Sequence, residues 1–204
     1  MEFAVLAERI VERRRPGDRC LVVGVDGWSG AGKTGFARRL ASQLSAACIS
    51  TDELVPGWDG LRASLDLVAG GILAPVTRGE PGRWRRFDWV AQRPAEWVEV
   101  PTAEVLVVEG CCTGVPPIVG YLSYLIWLEA PDAERRRRLQ AREDWEAYSP
   151  FFDRWRAQEV ALQSGAGTPA RADLVVDNSE VRHADPWGDR LVVDDRPPAR
   201  TGVD

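Results

Sequence analysis

Lysine is almost absent from this chain of 204 residues. Of its 26 basic residues only Lys33 is a lysine, and the others are arginines. A chain that otherwise uses arginine is expected to keep lysine where a compact, flexible ammonium group must fit between phosphates. The single lysine therefore marks one position at which the sequence indicates phosphate binding.

Long apolar runs and a strong positive charge are also missing. No stretch reaches about 18 apolar residues, and residues 1–15 mix glutamate and arginine with their apolar positions, so we expect neither a membrane-spanning helix nor a secretory signal. A cytoplasmic location follows by default. The net charge of −5 argues against nucleic acid or a membrane surface as a partner. The length fits a single domain over residues 1–204, with a flexible tail at about 195–204.

Cysteine is scarce, and its spacing does not fit a metal site. The four cysteines are Cys20, Cys48, Cys111 and Cys112. They lack the paired spacing of a zinc site, and three of them lie on or just after apolar runs. We interpret them as reduced, mostly buried thiols.

The stretch "GWSGAGKT" at residues 27–34 has the spacing of a P-loop, or Walker A motif. Backbone N–H groups of such a loop wrap phosphate oxygens, while Lys33 reaches the outer phosphates and the Thr34 hydroxyl binds Mg²⁺. An apolar strand candidate precedes the loop and a helical pattern follows it, as the motif requires. The predicted nucleotide-binding residues are Gly27, Ser29, Gly30, Ala31, Gly32, Lys33 and Thr34.

The remainder of the chain alternates apolar strand candidates with amphipathic helical patterns. Strands are predicted at 21–25, 47–50, 105–108, 122–128 and 174–176, and helices at 34–45, 60–69, 133–142 and 151–163, after a helix that precedes the first strand. This order indicates an α/β fold with a mostly parallel sheet and helices on both faces. Ligands bind such sheets at the carboxyl ends of the strands.

Two carboxylates follow strands of the predicted sheet. Asp52 comes after the second strand and Glu109 ends the third, so both are expected to face the phosphate loop. One could help to hold Mg²⁺ while the other accepts the proton of an attacking hydroxyl. The structural alternatives are a helix N-cap for Asp52 and a lone strand-end acid for Glu109.

Four stretches in order resemble uridine kinase and its relatives among the P-loop phosphotransferases. They are "GWSGAGKT", "STDEL", "RRFDWV" leading to "VLVVEG", and "AERRRRLQARE", and together they span about residues 20–145. The resemblance implies the three-layer sandwich of P-loop NTPases and the cofactors ATP and Mg²⁺. It assigns the role of base to Asp52 and the support of Mg²⁺ to Glu109.

The same resemblance places a nucleoside site at Phe87, Asp88 and Trp89. Phe87 stands where the family has a tyrosine, and the family's following histidine is absent, with Gln92 or Arg93 near its place. We expect the two aromatic rings to stack on a planar base and Asp88 to accept a hydrogen bond from the acceptor. The alternative is an ordinary solvated or core-edge loop. The predicted acceptor-binding residues are Asp52, Arg86, Phe87, Asp88, Trp89 and Arg93.

Arginines are concentrated on the predicted helix at 133–142. Arg135, Arg138 and Arg142 are spaced to share one face, which would suit a lid, at about 135–150, that neutralises charge on the transferring phosphoryl group. Arg138 and Arg142 are therefore predicted to be catalytic together with Asp52 and Lys33. The alternative is a solvated helix surface paired with acidic neighbours.

We therefore predict a Mg-ATP-dependent kinase that phosphorylates a hydroxyl of a small molecule, with a nucleoside as the favoured acceptor. A nucleoside monophosphate kinase is the second possibility, because Arg85, Arg86 and Arg93 could grip an acceptor phosphate. A P-loop ATPase or nucleotide-binding regulatory module is the third. The sequence specifies neither the acceptor nor the oligomeric state.

Overall fold

The computed structural model describes residues 1–179 and 191–194. The strands are β1 (Leu21–Gly27), β2 (Ala47–Ser50), β3 (Gly82–Asp88), β4 (Arg93–Val100), β5 (Val105–Glu109), β6 (Tyr124–Glu129), β7 (Leu174–Asp177) and β8 (Val192–Asp194). The helices are α1 (Phe3–Val11), α2 (Lys33–Gln43), α3 (Leu61–Val68), α4 (Ala74–Thr77), α5 (Asp132–Gln140), α6 (Trp145–Tyr148), α7 (Phe152–Gln163) and α8 (Thr168–Arg171). The predicted flexible tail at about 195–204 lies outside the described residues.

The main sheet has six strands in the order β2-β5-β1-β6-β7-β8. All neighbours pair in parallel except β8, which runs antiparallel to β7. Because β1, β2 and β5 are adjacent and parallel, their carboxyl ends meet at one edge of the sheet. The predicted α/β architecture with a mostly parallel sheet is confirmed.

Two apolar cores cover the two faces of this sheet. Leu21, Val23 and Val25 of β1 pack on one face, in a cluster that includes residues of α1 and α2. Val22 points to the opposite face, in a cluster with residues of α3 and α7. Successive side chains of a strand point to opposite faces, so a central strand covered on both sides must be apolar throughout.

The structure confirms the predicted strands and helices, with ends that agree to within two or three residues. It differs from the prediction in one hairpin and in the end of α5. The prediction missed a separate two-stranded antiparallel hairpin, β3–β4. Its few apolar residues do not alternate regularly with the arginines and glutamates, and a register shift between Arg85 and Phe87 interrupts the pairing. Helix α5 ends at Gln140, two residues before the predicted end.

Two further expectations concern cysteines and membrane spans. All four cysteines are free, and Cys20, Cys111 and Cys112 are buried while Cys48 is exposed. Among the residues that the structure describes, no helix is both long and apolar enough to cross a membrane.

Candidate active site

The phosphate loop connects the end of β1 to the start of α2. Gly32, the N-cap of α2, has a left-handed backbone (φ 95°), and no side chain caps the helix. In the described part of the chain, the backbone N–H groups of Gly30, Gly32, Lys33 and Thr34 form no hydrogen bond. Unpaired N–H groups at a helix N-terminus bind phosphate oxygens, so the loop fits the nucleotide that the motif implies.

Three other residues of the predicted loop donate their N–H groups to acceptors within the protein. The N–H of Ala31 donates to the carbonyl of Trp28 at 3.0 Å. The N–H of Gly27 donates to the Asp26 carboxylate at 2.7 Å, and the N–H of Ser29 donates to Glu159 at 2.9 Å. These three residues shape the loop, whereas its free donors are the N–H groups of Gly30 and of the start of α2.

Lys33 lies inside the loop with 7% of its surface exposed. Its Nζ donates to the carbonyl of Trp28 at 3.1 Å and to the sulfur of Cys111 at 3.2 Å. Burial alone would lower the pKa of Lys33, but the neighbouring Cys111 sulfur and the nearby carboxylates outweigh it and raise the pKa. The ammonium group therefore stays charged among acidic neighbours, which suits a group that contacts phosphates.

Thr34 and Glu109 form a pair of oxygen ligands beside the loop. The Thr34 hydroxyl donates to Oε1 of Glu109 at 3.0 Å, and Glu109 is 2% exposed. Burial and the nearby Asp52 raise the pKa of Glu109, while Lys33 opposes that shift. Mg²⁺ prefers one or two such oxygens together with water and phosphate oxygens. A cluster of three or more His, Cys, Asp or Glu ligands, which Mg²⁺ does not need, is absent from the described residues.

Gly110 explains how Glu109 comes close to the end of β2. A Cβ atom at Gly110 (φ 149°) would collide with the Thr51 hydroxyl, so only glycine lets the two backbones approach this closely. Glu109 also pairs with Ser50 across the β2–β5 register. The two strand ends that carry Asp52 and Glu109 are therefore adjacent, as the sequence predicted.

Asp52 lies in a short 3₁₀ turn (Thr51–Leu54) directly after β2. The N-cap of this turn is Ser50, so the alternative interpretation of Asp52 as an N-cap is not supported. Asp52 is exposed toward the cavity, but desolvation by the protein atoms around its carboxyl raises the pKa of that carboxyl; Glu159 adds to the rise, whereas Lys33 and Arg142 oppose it. The indole N–H of Trp89 donates to the backbone carbonyl of Asp52 at 3.1 Å and holds this turn in place.

A cavity of about 360 Å³ opens next to Asp52 and the phosphate loop. Its volume falls within the usual range of small-molecule sites. Its walls come from the loop, the turn after β2, the hairpin end and the segment that follows α5. The lining residues are Ser29, Asp52, Glu53, Trp58, Trp89, Val90, Arg142, Asp144, Ala147, Tyr148 and Trp155.

The sequence-based prediction missed Glu159, which lies at the junction of the cavity and the phosphate loop. This residue of α7 is 2% exposed, and its Oε1 accepts hydrogen bonds from both the N–H and the hydroxyl of Ser29, at 2.9 and 2.8 Å. One turn earlier Trp155 lines the cavity, and one turn later Gln163 donates to Asp26 at 3.0 Å. One face of α7 therefore connects the cavity wall with the base of the loop.

Most of the acceptor residues predicted between β2 and β5 do not line this cavity. Arg86 pairs with Glu96 at 2.6 Å on the exposed hairpin. The Asp88 carboxylate accepts the N–H groups of the two residues at the hairpin turn, Val90 and Ala91, both at 2.9 Å. Phe87 is buried against Trp89, at 5.2 Å between ring centroids, and Arg93 begins β4. Of the set, Trp89 and Asp52 reach the cavity.

The predicted arginine face is correct only in part. Arg142 lies beyond the end of α5, yet its side chain lines the cavity. Arg138 instead donates to Glu134 at 2.7 Å and to the carbonyl of Asn178 at 2.8 Å, and Arg135 donates to the carbonyl of Ser29 at 3.1 Å. Helical spacing placed Arg135, Arg138 and Arg142 on one face. The structure separates them, because α5 ends at Gln140, before Arg142.

The architecture and the loop together define an α/β fold of the P-loop type, and comparison with solved structures agrees on the fold. A structure described as a possible uridine kinase from Bacillus stearothermophilus is similar with a TM-score of 0.60 and 14% identity, over 85% of this chain and 96% of that one. A structure described as a fructose transport system kinase from Silicibacter sp. TM1040 gives a TM-score of 0.62 and 19% identity, over 82% and 94% of the two chains.

D-glycerate 3-kinase from Cryptococcus neoformans var. grubii is similar with a TM-score of 0.50 and 15% identity, over 87% of this chain and 93% of that one. At these identities the likeness concerns the fold, and the acceptors named for these proteins differ from one another. No protein-family model matches the chain, and no curated protein matches it either.

Proposed function

We propose that this protein is an ATP-dependent kinase that transfers the γ-phosphate to a hydroxyl of a small molecule, with a nucleoside or a similar ring-bearing compound as acceptor. The observation that supports this most directly is the position of Asp52. Its carboxylate borders both a cavity large enough for an acceptor and the phosphate loop that carries Lys33. Donors for phosphate and an acceptor for a hydroxyl proton thus lie side by side.

In the proposed reaction the acceptor hydroxyl donates its proton to Asp52 while its oxygen forms a bond to the γ-phosphorus. The bond from that phosphorus to the bridging oxygen breaks, and ADP leaves. Lys33 and the free N–H groups of the loop hold the phosphates in line, so that catalysis consists mainly of positioning and charge stabilisation. Thr34 and Glu109 would hold Mg²⁺, which neutralises charge on the phosphate oxygens when bound.

Stacking on the indole rings supports a ring-bearing acceptor. Trp58 and Trp89 both line the cavity, with ring centroids 4.6 Å apart. Stacking of a base on an aromatic side chain contributes about 1–3 kcal/mol in nucleic-acid binders. We therefore expect Trp89→Ala to raise KM for the acceptor by roughly tenfold with little change in KM for ATP. Trp97→Ala on the exposed hairpin is the control, and equal effects of the two variants would contradict the assignment.

Acceptor screening separates this proposal from the other two. ADP release is measured with nucleosides, nucleoside monophosphates and sugars as acceptors. A nucleoside monophosphate kinase needs cations for the acceptor phosphate, and Arg86 and Arg93 do not line the cavity. Release that depends on an unphosphorylated hydroxy compound supports the proposal. Release that is independent of any acceptor would indicate an ATPase or a regulatory module instead.

A further inference from the structure

The acceptor cavity carries more negative than positive charge. Its lining includes the carboxylates of Asp52, Glu53 and Asp144. Among the lining residues in the described part of the chain, Arg142 is the one basic residue, and its Nε and Nη2 donate to Asp144 at 2.8 and 2.5 Å. Because the charge of Arg142 is already offset by Asp144, two carboxylates remain to set the potential of the cavity.

Acidic residues also outnumber basic ones behind the floor of the cavity. Glu109 and Glu159 are each 2% exposed, and with Asp52 they surround a single ammonium group, that of Lys33. A bound nucleotide would add the negative charge of its phosphates. Beside a bound nucleotide, these surroundings therefore favour a cationic over an anionic acceptor.

Three arginines of α5 are bound to protein groups and lie outside the cavity lining. Arg137 and Arg138 both donate hydrogen bonds to Glu134. These bonds lower the pKa of the Glu134 carboxyl to about 2, so that Glu134 stays ionised. Arg135 donates to Asp132 at 2.7 Å and to the carbonyl of Ser29. Arg137 and Arg138 share the single carboxylate of Glu134, so a net positive charge remains there, but it lies outside the cavity lining.

The other walls of the cavity are aromatic. Trp58, Trp89, Tyr148 and Trp155 all line it. Their rings are held by one another, with centroids 5.7 Å apart for Trp58 and Tyr148 and 6.3 Å apart for Trp89 and Trp155. Aromatic faces attract cations through their quadrupoles, most strongly in the case of tryptophan, and rings that are already packed need little reordering to do so.

We propose that the acceptor carries a positive charge near its phosphorylated hydroxyl, held between the tryptophan wall and the carboxylates of Asp52 and Glu53. The chemical class is a cationic hydroxy compound, whose charge sits either on an alkylated amine or on a planar ring. This inference rests on the proposed function, because it concerns the acceptor of the same site. It also disfavours acceptors that already bear a phosphate, since the lining formed by residues 1–179 and 191–194 offers no unpaired cation to receive it.

Direct binding of matched pairs tests the charge preference without requiring turnover. Calorimetry on the full chain at pH 7 compares choline with its neutral isostere 3,3-dimethylbutan-1-ol, and 1-methyladenosine with adenosine. We expect the charged member of at least one pair to bind about five- to tenfold more tightly than the neutral member. The pair that shows this difference identifies the source of the charge. The preference should weaken as salt is raised.

A charge-neutralising variant links the preference to the cavity. Glu53→Gln removes one lining carboxylate and should reduce the difference within the pair severalfold. Glu143→Gln, an exposed change of the same kind outside the lining, should leave it unchanged. Equal binding of charged and neutral members in both pairs, or equal effects of the two variants, would overturn the inference.

The proposed function is tested separately by turnover. If choline or 1-methyladenosine binds preferentially but no hydroxy compound stimulates ADP release, the charge preference stands and the kinase proposal fails. If neutral nucleosides stimulate ADP release and neither matched pair discriminates, the kinase proposal stands and the charge preference fails.

Discussion

Asp52 is the residue whose replacement separates chemistry from binding. Asp52→Asn keeps the size of the side chain but removes its ability to take a proton. Since general-base catalysis contributes about 10²–10⁴-fold, we expect turnover to fall by that factor while the affinity for Mg-ATP, measured by calorimetry, changes little. Glu143→Gln, an exposed change of a carboxylate outside the cavity lining, is the control for loss of charge. A drop in thermal stability with nearly normal turnover would mean that Asp52 is structural.

The pH dependence of the wild type provides a second measure of the same residue. A base acts when it is deprotonated, so activity falls as pH decreases through the pKa of Asp52 in the folded protein. Desolvation of the Asp52 carboxyl by the surrounding protein, together with the negative charge of Glu159, raises that pKa. The acid limb of kcat/KM for the acceptor should therefore lie above the ordinary aspartate value of about 3.9. An acid limb at or below that value would contradict the assignment.

Lys33 is expected to act on phosphates and not on the apolar core. Lys33→Ala should lower kcat/KM by about 10²–10³, the usual cost of losing one preorganised charged donor, while the circular dichroism spectrum stays that of the wild type. Arg38→Ala, an exposed change on the same helix, should have little effect on either measurement. A folded Lys33→Ala protein with normal turnover would contradict a role of Lys33 in phosphate binding.

Sequence reasoning anticipated the residues whose positions depend on local rules. Lys33 and Thr34 follow from the spacing of the loop, and Asp52 and Glu109 follow from their places at strand ends, which a parallel sheet brings together. Glu159 could not be found in this way, because nothing local to α7 distinguishes it from a solvated helix residue. Its role depends on how α7 packs across the loop. Its Gln158 neighbour likewise holds the carbonyl of Trp58, at 2.7 Å, through tertiary packing alone.

At the scale of elements, the segment that follows α5 is the part of the predicted lid that reaches the cavity. Arg142→Ala should lower kcat by about tenfold, because Arg142 lines the cavity and the pairing of Asp144 is lost with it. Steady-state kinetics of Arg136→Ala provide the control, since Arg136 lies over the ring of Phe152, with 5.4 Å from its guanidinium carbon to the ring centroid. Equal, small effects of both variants would indicate that Arg142, like Arg136, is a surface residue without a role in catalysis.

The elements also show where pattern recognition stops. The central strands were found because burial on both faces makes them continuously apolar, as in β1. The β3–β4 hairpin was missed because it lies outside the main sheet and its few apolar residues do not alternate regularly with the charged ones, owing to a register shift between Arg85 and Phe87. Consequently Asp88 was assigned to the acceptor, although it accepts the N–H groups of the hairpin turn. The direction of a side chain at a turn depends on hydrogen bonds that sequence spacing does not encode.

On the scale of the whole molecule, the fold places a nucleotide loop and a separate cavity at the same edge of one parallel sheet. A nucleotide-binding switch would need the first feature only. The cavity, with Asp52 at its border, is what makes transfer to an acceptor the central claim. The sequence predicted the loop and the two carboxylates at neighbouring strand ends, whereas the cavity with its aromatic and acidic lining emerged only from the assembled elements.

Following the γ-phosphate of ATP with a radioactive label tests that claim most directly. The wild type and Asp52→Asn are incubated with labelled Mg-ATP and an acceptor that stimulates ADP release, and the labelled products are separated. We expect the wild type to transfer the label to the organic acceptor, one label for each ADP formed, and Asp52→Asn to bind ATP but to transfer almost none. Label found only as inorganic phosphate, in the same amount with or without an acceptor, would contradict it.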